Sequence, residues 1–354
     1  CLVAHLFMIT PKLDNSEAHV FLVAIKDFIS KQNEFWQLLS IAEKAGVPCV
    51  PYVLTPVTDY THLNKVSKSL GTDLVIQTPF GDSGHTTFFI SNEEEFKKYE
   101  EEIVKEKEVK VMKRINCKGS AIEACVTRHG TIVAPLMTEL VGFKELTPYK
   151  GGWCGNEIYP NAFNPEIREK AIKYTQLFGN QLRKEGYKGY FELDFLIDQD
   201  NGEVYLGELN PRVTGASSIT NHAVFALADA PLFVFHILEW MDVEYDLNIK
   251  ELNERWARQE NIDGWSQLII KHTEDTIEYV HEAPVSGIYK MKIGEKPFEI
   301  GLNLGLLSYF KESTGFAFSA SQSALEDGDF DYQDEALTNP FGFKYFISDK
   351  FFEN

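Results

Sequence analysis

The chain has 354 residues, 44% of them hydrophobic and 25% charged, with a formal net charge of −19. That length supports a sizeable core and two or three folding units. So acidic a balance argues against DNA or RNA as a general partner, because nucleic-acid binding needs basic surface to displace counterions. An anionic small molecule stays admissible, since a local basic pocket can sit on an acidic body.

Cys1, Cys49, Cys117, Cys125 and Cys154 show no CxxC spacing and read as free thiols of a reducing compartment. No apolar run reaches the roughly 18 residues of a membrane span, and no signal peptide is visible. The expectation is a cytoplasmic protein with no membrane partner. The first residue is Cys1 rather than Met, which raises the expectation of a fragment or a processed form.

In chain order, residues 16–45 read as helical, with Phe21, Ile25, Phe28 and Ile29 spaced for one face. A second run through Phe35, Leu38, Leu39 and Ala42 closes at Gly46, a residue suited to a helix C-cap. Residues 47–54 read as a short strand, and strands at 74–77 and 86–90 flank the loop 78–85. The Glu/Lys mixture of 93–110 reads as a solvated helix. Strand-like runs recur at 109–115, 122–127 and 131–137. The stretch 142–160, rich in Gly, Pro and aromatics, reads as a long loop. Residues 165–185 read as a helix, 189–209 as a hairpin and 231–240 as part of another helix. From Trp265 the pattern turns strand-rich, and the acidic stretch 326–335 reads as a surface loop. Helices mixed with mainly antiparallel hairpins indicate α+β layers rather than a doubly wound sheet. No internal repeat is present.

The hairpin is the most informative segment. Asp200, Asn201 and Gly202 are a turn signal between two apolar strands. A turn centred there sets Asp194 opposite Glu208 and Glu192 opposite Asn210, all on one face that Arg212 continues. Leu196, Val204 and Leu206 are expected along that face, with Phe191, Leu193, Phe195, Ile197 and Leu209 on the other. Both faces are apolar toward the turn, yet three carboxylates crowd the open end. Buried charge needs compensation, which a hard divalent cation with oxygen ligands would supply. The alternative is a solvated hairpin end in which Arg212 pairs with one acid.

In the loop between the strands at 74–77 and 86–90, Gly81 and Gly84 would let backbone N–H groups turn toward an anion, and Ser83 and Thr86 add hydroxyl donors. It is neither a Walker A motif, which needs Gly-Lys-Ser/Thr and a following helix, nor a nucleophile elbow. A plain hairpin turn accounts for it equally well. His85 fits either a phosphate contact or an ordinary surface position. The remaining histidines lack HxH or HExxH spacing, which argues against zinc. Lys144, Tyr149, Trp153 and Asn156 suit either a substrate pocket or simple loop packing, and Met112 and Met137 read as core.

Loop and hairpin together resemble the ATP-grasp superfamily, whose members include biotin carboxylase and D-alanine–D-alanine ligase, over residues 30–240. The Ala45-Gly46-Val47-Pro48 segment looks like the entry to the nucleotide-binding region, and the glycine loop looks like the lid over the triphosphate. Lys113, Arg114 and Ile115 match the linker whose backbone receives adenine, with Glu123 on the following strand. Asp194, Glu208 and Asn210 match the family's metal ligands, and Glu208-Leu209-Asn210-Pro211-Arg212 is its most specific motif. Arg212 takes the position that contacts the transferred phosphate, and Gly215, Ala216 and Ser217 follow where members cradle substrate oxygen. Three departures stand out. Gln77 occupies the place of a phosphate-binding Lys, and no Lys aligns in the preceding helix, Lys31 being nearest. Ala216 replaces the Glu that biotin carboxylase uses as base, which argues against bicarbonate carboxylation. The region before Ala45 is shorter than the family's usual first domain.

The resemblance thus implies an α+β ATP-grasp fold: an N-terminal remnant (1–52), a lid unit (53–115), a metal and nucleotide unit (116–260) and a strand-rich C-terminal unit (261–354). It implies ATP with Mg²⁺ or Mn²⁺, and a small carboxylate activated as an acyl phosphate for an amine. Gln77, Gly81, Ser83, Gly84, His85, Thr86, Lys113, Arg114, Ile115 and Glu123 would bind nucleotide. Arg212 and Ser217 would be catalytic, and a homodimer is among the assemblies open to it. A non-catalytic or regulatory relative and a biotin-carboxylase-like enzyme are the alternatives.

Overall fold

Two sheets, each with its own core, meet along one edge of the hairpin. The computed structural model describes residues 35–78, 87–143, 152–159, 162–226 and 230–258, with the strand segments 265–269, 287–293, 296–304, 317–321, 337–338, 344–345 and 352–353. After α1 (Phe35–Ala45), the first sheet comprises β1 (Tyr52–Thr55), β2 (Leu74–Gln77), β3 (Thr87–Ile90) and β4 (Val109–Lys113), antiparallel in the order β1-β4-β2-β3. Alternation assigns its faces. Leu74, Ile76, Val109 and Val111 pack with Leu63 of α2 (Tyr60–Val66), Phe96 of α3 (Glu93–Lys98) and Ile103 of α4 (Glu100–Val104). The opposite face carries Leu54, Lys110 and Gln77 side by side across three strands.

The second sheet is larger. It is built from β5 (Cys117–Thr127), β6 (Gly130–Val133), β7 (Met137–Val141), β8 (Trp153–Ile158), β9 (Gly189–Asp198), β10 (Val204–Asn210), β11 (Trp265–Ile269), β12 (Gly287–Ile293), β13 (Lys296–Leu304) and β14 (Ala317–Ser321). The order runs β10-β9-β5-β7-β8-β11-β14-β13-β12, with β6 paired to β5 and the short strand Phe352–Glu353 paired to β12 at the far edge. One face, through Phe191, Leu193, Phe195 and Ile197, packs on Ala171, Phe178 and Leu182 of α5 (Pro165–Lys184) and on Ile41 and Ala42 of α1. The other is covered in sections by α6 (Ser217–Ala226), α7 (Leu232–Trp240) and α8 (Ile249–Trp256). Ala216 and Ile219 meet Ala121 and Met137, while Leu232, Phe235, Leu252 and Trp256 meet Cys125 and Tyr190. Residues 114–116 join the sheets, and Leu206 N donates to Pro48 O at 2.8 Å. No helix among the described residues is long and apolar enough to cross a membrane.

Several expectations need correction. The segment 93–110 is two short helices followed by a strand. Asn92 caps α3 by accepting from Glu95 N, and the Glu95 carboxylate accepts from Ser91 N, one residue before the cap. Lys110 leaves this solvated stretch for a buried strand position. Residues 142–160 contain β8, because pairing with β7 and β11 overrides the local Gly and aromatic signal. The run 47–54 becomes a strand only from Tyr52, and 131–137 divides between β6 and β7. Val204 and Leu206 lie opposite Ile197 and Phe195, hence on the α5 face and not with Asp194. A β-bulge at Gly207 shifts the register. A Cβ there would stand 3.2 Å from Asp194 O and 3.3 Å from Leu196 Cγ. The helix expected from residue 16 is described only from Phe35, and the acidic stretch 326–335 lies outside the described residues.

Gly179 tests the contact between α5 and the sheet. A Cβ there would stand 2.4 Å from Thr131 Cγ2 and 3.0 Å from Phe191 Cζ, and a β-branched strand residue has little freedom to yield. Helix propensity alone favours Ala by about 1 kcal/mol, while overpacking costs about 1–3 kcal/mol. Gly179→Ala is therefore expected to lower the urea midpoint followed by tryptophan fluorescence. A raised midpoint would show that the contact is loose.

Candidate active site

Register gathers the polar residues. Across β10 and β9, Glu208 faces Asp194 and Asn210 faces Glu192; across β9 and β5, Glu192 faces Glu123 and Asp194 faces Ala121. Because pairing partners share a face, Glu123, Glu192, Asp194, Glu208 and Asn210 occupy one patch. Glu139 on β7 joins them by leaning over Gly119 of β5. A Cβ at Gly119 would stand 2.5 Å from Glu139 Oε2.

The patch is closed by the turn that leads into α6. Thr214 Oγ1 lies 3.0 Å from Glu123 Oε1 and 2.8 Å from Glu192 Oε2, and it accepts from Ala216 N. Ser217 Oγ accepts from Thr214 N and donates to Glu123, whose second oxygen accepts from Tyr190 OH. A threonine hydroxyl has one proton and cannot donate to two carboxylates. One of the two glutamates therefore holds a proton of its own. Burial raises both carboxyl groups, and the neighbouring Glu123 adds to the rise of Glu192, which lies well above the usual carboxylate range. Asn210 Nδ2 donates to Asp194 Oδ2 at 3.2 Å and approaches Glu192 Oε1 at 3.4 Å, while its Oδ1 accepts from Arg212 Nη2 at 3.1 Å.

Electrostatically the patch is strained. Burial raises Asp194 well above its usual range, and Glu192, Glu139 and Glu208 add to the rise, with Arg212 opposing it. Burial likewise raises Glu208, against Arg212 and Lys110. Burial, assisted by Glu208, pushes Glu139 up to about 7. Asp194 Oδ1 is buried with no hydrogen-bond partner. Among the described residues no three His, Cys, Asp or Glu side chains form a ready-made cation cage. The donor set nevertheless fits Mg²⁺, which takes few protein oxygens and shares the rest of its shell with phosphate and water: an orphaned carboxylate oxygen, a second carboxylate opposite it and an amide.

The other expected site residues lie as follows. Gln77, on the four-stranded sheet, approaches Thr87 Oγ1 at 3.5 Å. Lys113 and Arg114 are exposed and Ile115 half-buried beside the linker between the sheets, and Arg114 pairs with Asp73 at 3.3 Å over the Phe89 ring. Gly81, Ser83, Gly84, His85 and Thr86 lie outside the described residues, as do Lys144 and Tyr149. Trp153 packs over Gly215 and donates to Asn156 Oδ1 at 2.8 Å, so both stand beside the turn. Met112 and Met137 are buried. Sequence reasoning passed over Glu139, Tyr190, Thr214 and Lys110. Only Thr214, two residues past Arg212, carried a positional signal.

No family model matches the sequence. A D-alanine–D-alanine ligase from Clostridium novyi (strain NT) is 26% identical over 178 residues, covering 48% of this chain and 51% of that ligase. The chain thus spans about half the length of the curated relative it matches. Among solved structures, the biotin carboxylase domain of a 2-oxoglutarate carboxylase from Hydrogenobacter thermophilus superposes with a TM-score of 0.58 at 17% identity, covering 83% of this chain and 63% of that one. An N5-carboxyaminoimidazole ribonucleotide synthetase, solved as its ADP complex, gives 0.56 at 16% identity over 82% and 67%. The fold is the ATP-grasp fold. The D-alanine–D-alanine ligase is similar to this chain in sequence over about half of each.

Glu139 supplies a pH test. In the folded chain its carboxyl titrates near 7, against an ordinary value of 4.5. The folded state keeps this proton where the unfolded chain has lost it, so the stability it adds is complete below 4.5 and is lost as pH rises through about 7. Glu139→Gln removes this titration. Urea midpoints of the wild type should therefore fall relative to the variant between pH 5 and pH 8, in the absence of divalent cations. Parallel curves would show that Glu139 ionises normally.

Proposed function

We propose that the chain is an ATP-dependent ligase that activates a small carboxylate as an acyl phosphate and joins it to an amine, with residues 53–115 as lid and 116–260 as the metal- and nucleotide-binding unit. The observation that carries this reading is the one-face convergence of Asp194, Glu208, Asn210 and Arg212 around the orphaned Asp194 Oδ1. The relatives' names support it: one is a ligase of D-alanine, another a synthetase solved with ADP. The solved 2-oxoglutarate carboxylase domain is described as a dimer with MgADP, which supports a homodimer and Mg²⁺ here as well. The free thiols of Cys49, Cys117, Cys125 and Cys154 support a cytoplasmic setting.

In this reading Asp194, Glu208 and Asn210 would hold Mg²⁺, which would supply positive charge to the phosphate oxygens. A carboxylate oxygen of the substrate attacks the γ-phosphorus of ATP, and the bond to the β–γ bridging oxygen breaks, releasing ADP. The amine nitrogen then attacks the acyl carbon, loses a proton and expels inorganic phosphate. Arg212 is anchored through Asn210 Oδ1 and Val213 O, which aims a permanently charged group at the transferred phosphoryl, where negative charge grows. Ser217 Oγ bonds to Glu123 and Thr214 N and so holds the turn that leads into α6, where the substrate's oxygen would sit. The buried Ala216 provides no base, so deprotonation of bicarbonate is not the favoured reaction.

The test is chemical. With ATP, Mg²⁺, a panel of amino and hydroxy acids and hydroxylamine in place of the amine, the protein should yield ADP, phosphate and a hydroxamate. Arg212→Met should reduce turnover by about 10²–10³, the cost of removing one such donor, and change ATP affinity far less. AMP and pyrophosphate as products would exclude the mechanism, and ADP formation that no carboxylate stimulates would favour a nucleotide-binding protein.

A further inference from the structure

The first sheet holds a buried cation whose purpose its own fold does not explain. Lys110 on β4 is 1% exposed and stands between Leu54 of β1 and Gln77 of β2, on the face turned away from the core of Leu74, Ile76, Val109 and Val111. Its neighbours in sequence, Val109 and Val111, are in that core, so the side chain leaves the sheet on the side toward the hairpin. There its charge and that of Glu208 on β10 act on one another, beside the Cys49 thiol. The ammonium lies 5.7 Å from the Tyr52 ring centroid, a cation–π contact. It makes no hydrogen bond or ion pair with any described residue. A lysine rarely occupies a buried position unless an anion compensates it, and a cation–π contact supplies only a fraction of the lost hydration. Burial accordingly lowers the Lys110 pKa.

We propose that Lys110 is a phosphate-binding residue of the nucleotide site, supplying from β4 the positive charge that its cross-strand partner Gln77 lacks. The proposal rests on the nucleotide reading given above and adds a residue to it. Side chains of a register pair leave the sheet on the same side with Cβ atoms about 5 Å apart, so a lysine at either position can serve a ligand held between the sheets. Lys110 then stands on the lid side of a bound phosphate and Glu208, which would hold Mg²⁺, on the other. The two charges facing each other across the cleft are of the signs that a Mg-nucleotide requires. Gln77 offers an amide donor beside the ammonium. Its burial is legible only through pairing, since in sequence Lys110 follows Lys105, Glu106, Lys107 and Glu108 after a single Val109.

The test is calorimetric binding of ATP and of adenosine, each with Mg²⁺, to the full chain and to Lys110→Met, Lys110→Gln and the double variant Lys110→Met/Gln77→Lys. Both single variants should bind ATP about tenfold to a hundredfold more weakly, the range of a charge-assisted hydrogen bond, with adenosine affinity and melting temperature within error. Moving the charge across the register pair in the double variant should restore most of the lost affinity, a result that a merely structural lysine would not give. ATP affinity unchanged in both single variants would overturn the assignment of Lys110 while leaving the nucleotide site standing. Equal losses for ATP and adenosine would overturn it too, as a packing effect. A wild-type chain that binds neither compound would overturn the nucleotide reading and this inference together.

Discussion

Five carboxylates, Glu123, Glu139, Glu192, Asp194 and Glu208, share one patch that runs from the buried Glu123 and Glu192 out to the exposed Glu208 and Arg212, and the polar architecture around it answers to the cost of that crowding. Hydroxyls answer first: Tyr190 and Ser217 donate into Glu123, Thr214 Oγ1 lies between Glu123 and Glu192, and one of those two glutamates is protonated. At the open end Asn210 uses its amide protons on Asp194 and Glu192 and its oxygen on Arg212. What is left over is negative charge at Asp194, Glu208 and Glu139, with one orphaned oxygen. Such an arrangement is poor for stability and well suited to capturing a divalent cation with its phosphates.

The rest of the fold supports that patch. Apolar packing on α5 fixes the back of β5, β9 and β10, and α6, α7 and α8 seal the front beyond Tyr190. The four-stranded sheet brings the opposite charge: Lys110 faces the hairpin from a buried strand, with Gln77 beside it. Placing the two signs on two sheets, not in contact as an ion pair, leaves both available to a ligand between them.

Residue pattern exposed the parts of this site that depend on short-range rules. A three-residue turn signal set Asp194 opposite Glu208 and Glu192 opposite Asn210, and the register agrees. It failed two and four residues before Glu208, because alternation presumes an unbroken ladder and Gly207 inserts a bulge that moves Leu206 and Val204 to the far face. Glu139 was invisible for another reason. It reaches the patch from β7, after an intervening strand and loop, and nothing in its neighbours marks a partner at Glu208. Lys110 fell in the overlap of the solvated stretch 93–110 and the strand-like run 109–115, and its burial stayed hidden because charge patterning carries no information about burial. Its strand exists through pairing with β1 and β2. The family resemblance named the α+β fold and the motif at Glu208 to Arg212, while the hydrogen-bonded cradle of Tyr190, Thr214 and Ser217 emerged only with three-dimensional packing.

If the acidic patch exists to receive a metal–nucleotide, its raised carboxyl groups must lose protons when the ligand arrives, because cation binding favours the ionised form. The most direct measurement is titration calorimetry of a non-hydrolysable ATP analogue with Mg²⁺ at pH 7, repeated in two buffers of different ionisation enthalpy. The account predicts binding that requires Mg²⁺ and releases protons, with the release reduced in Glu139→Gln. Binding that is indifferent to Mg²⁺, or that takes up protons, would contradict it.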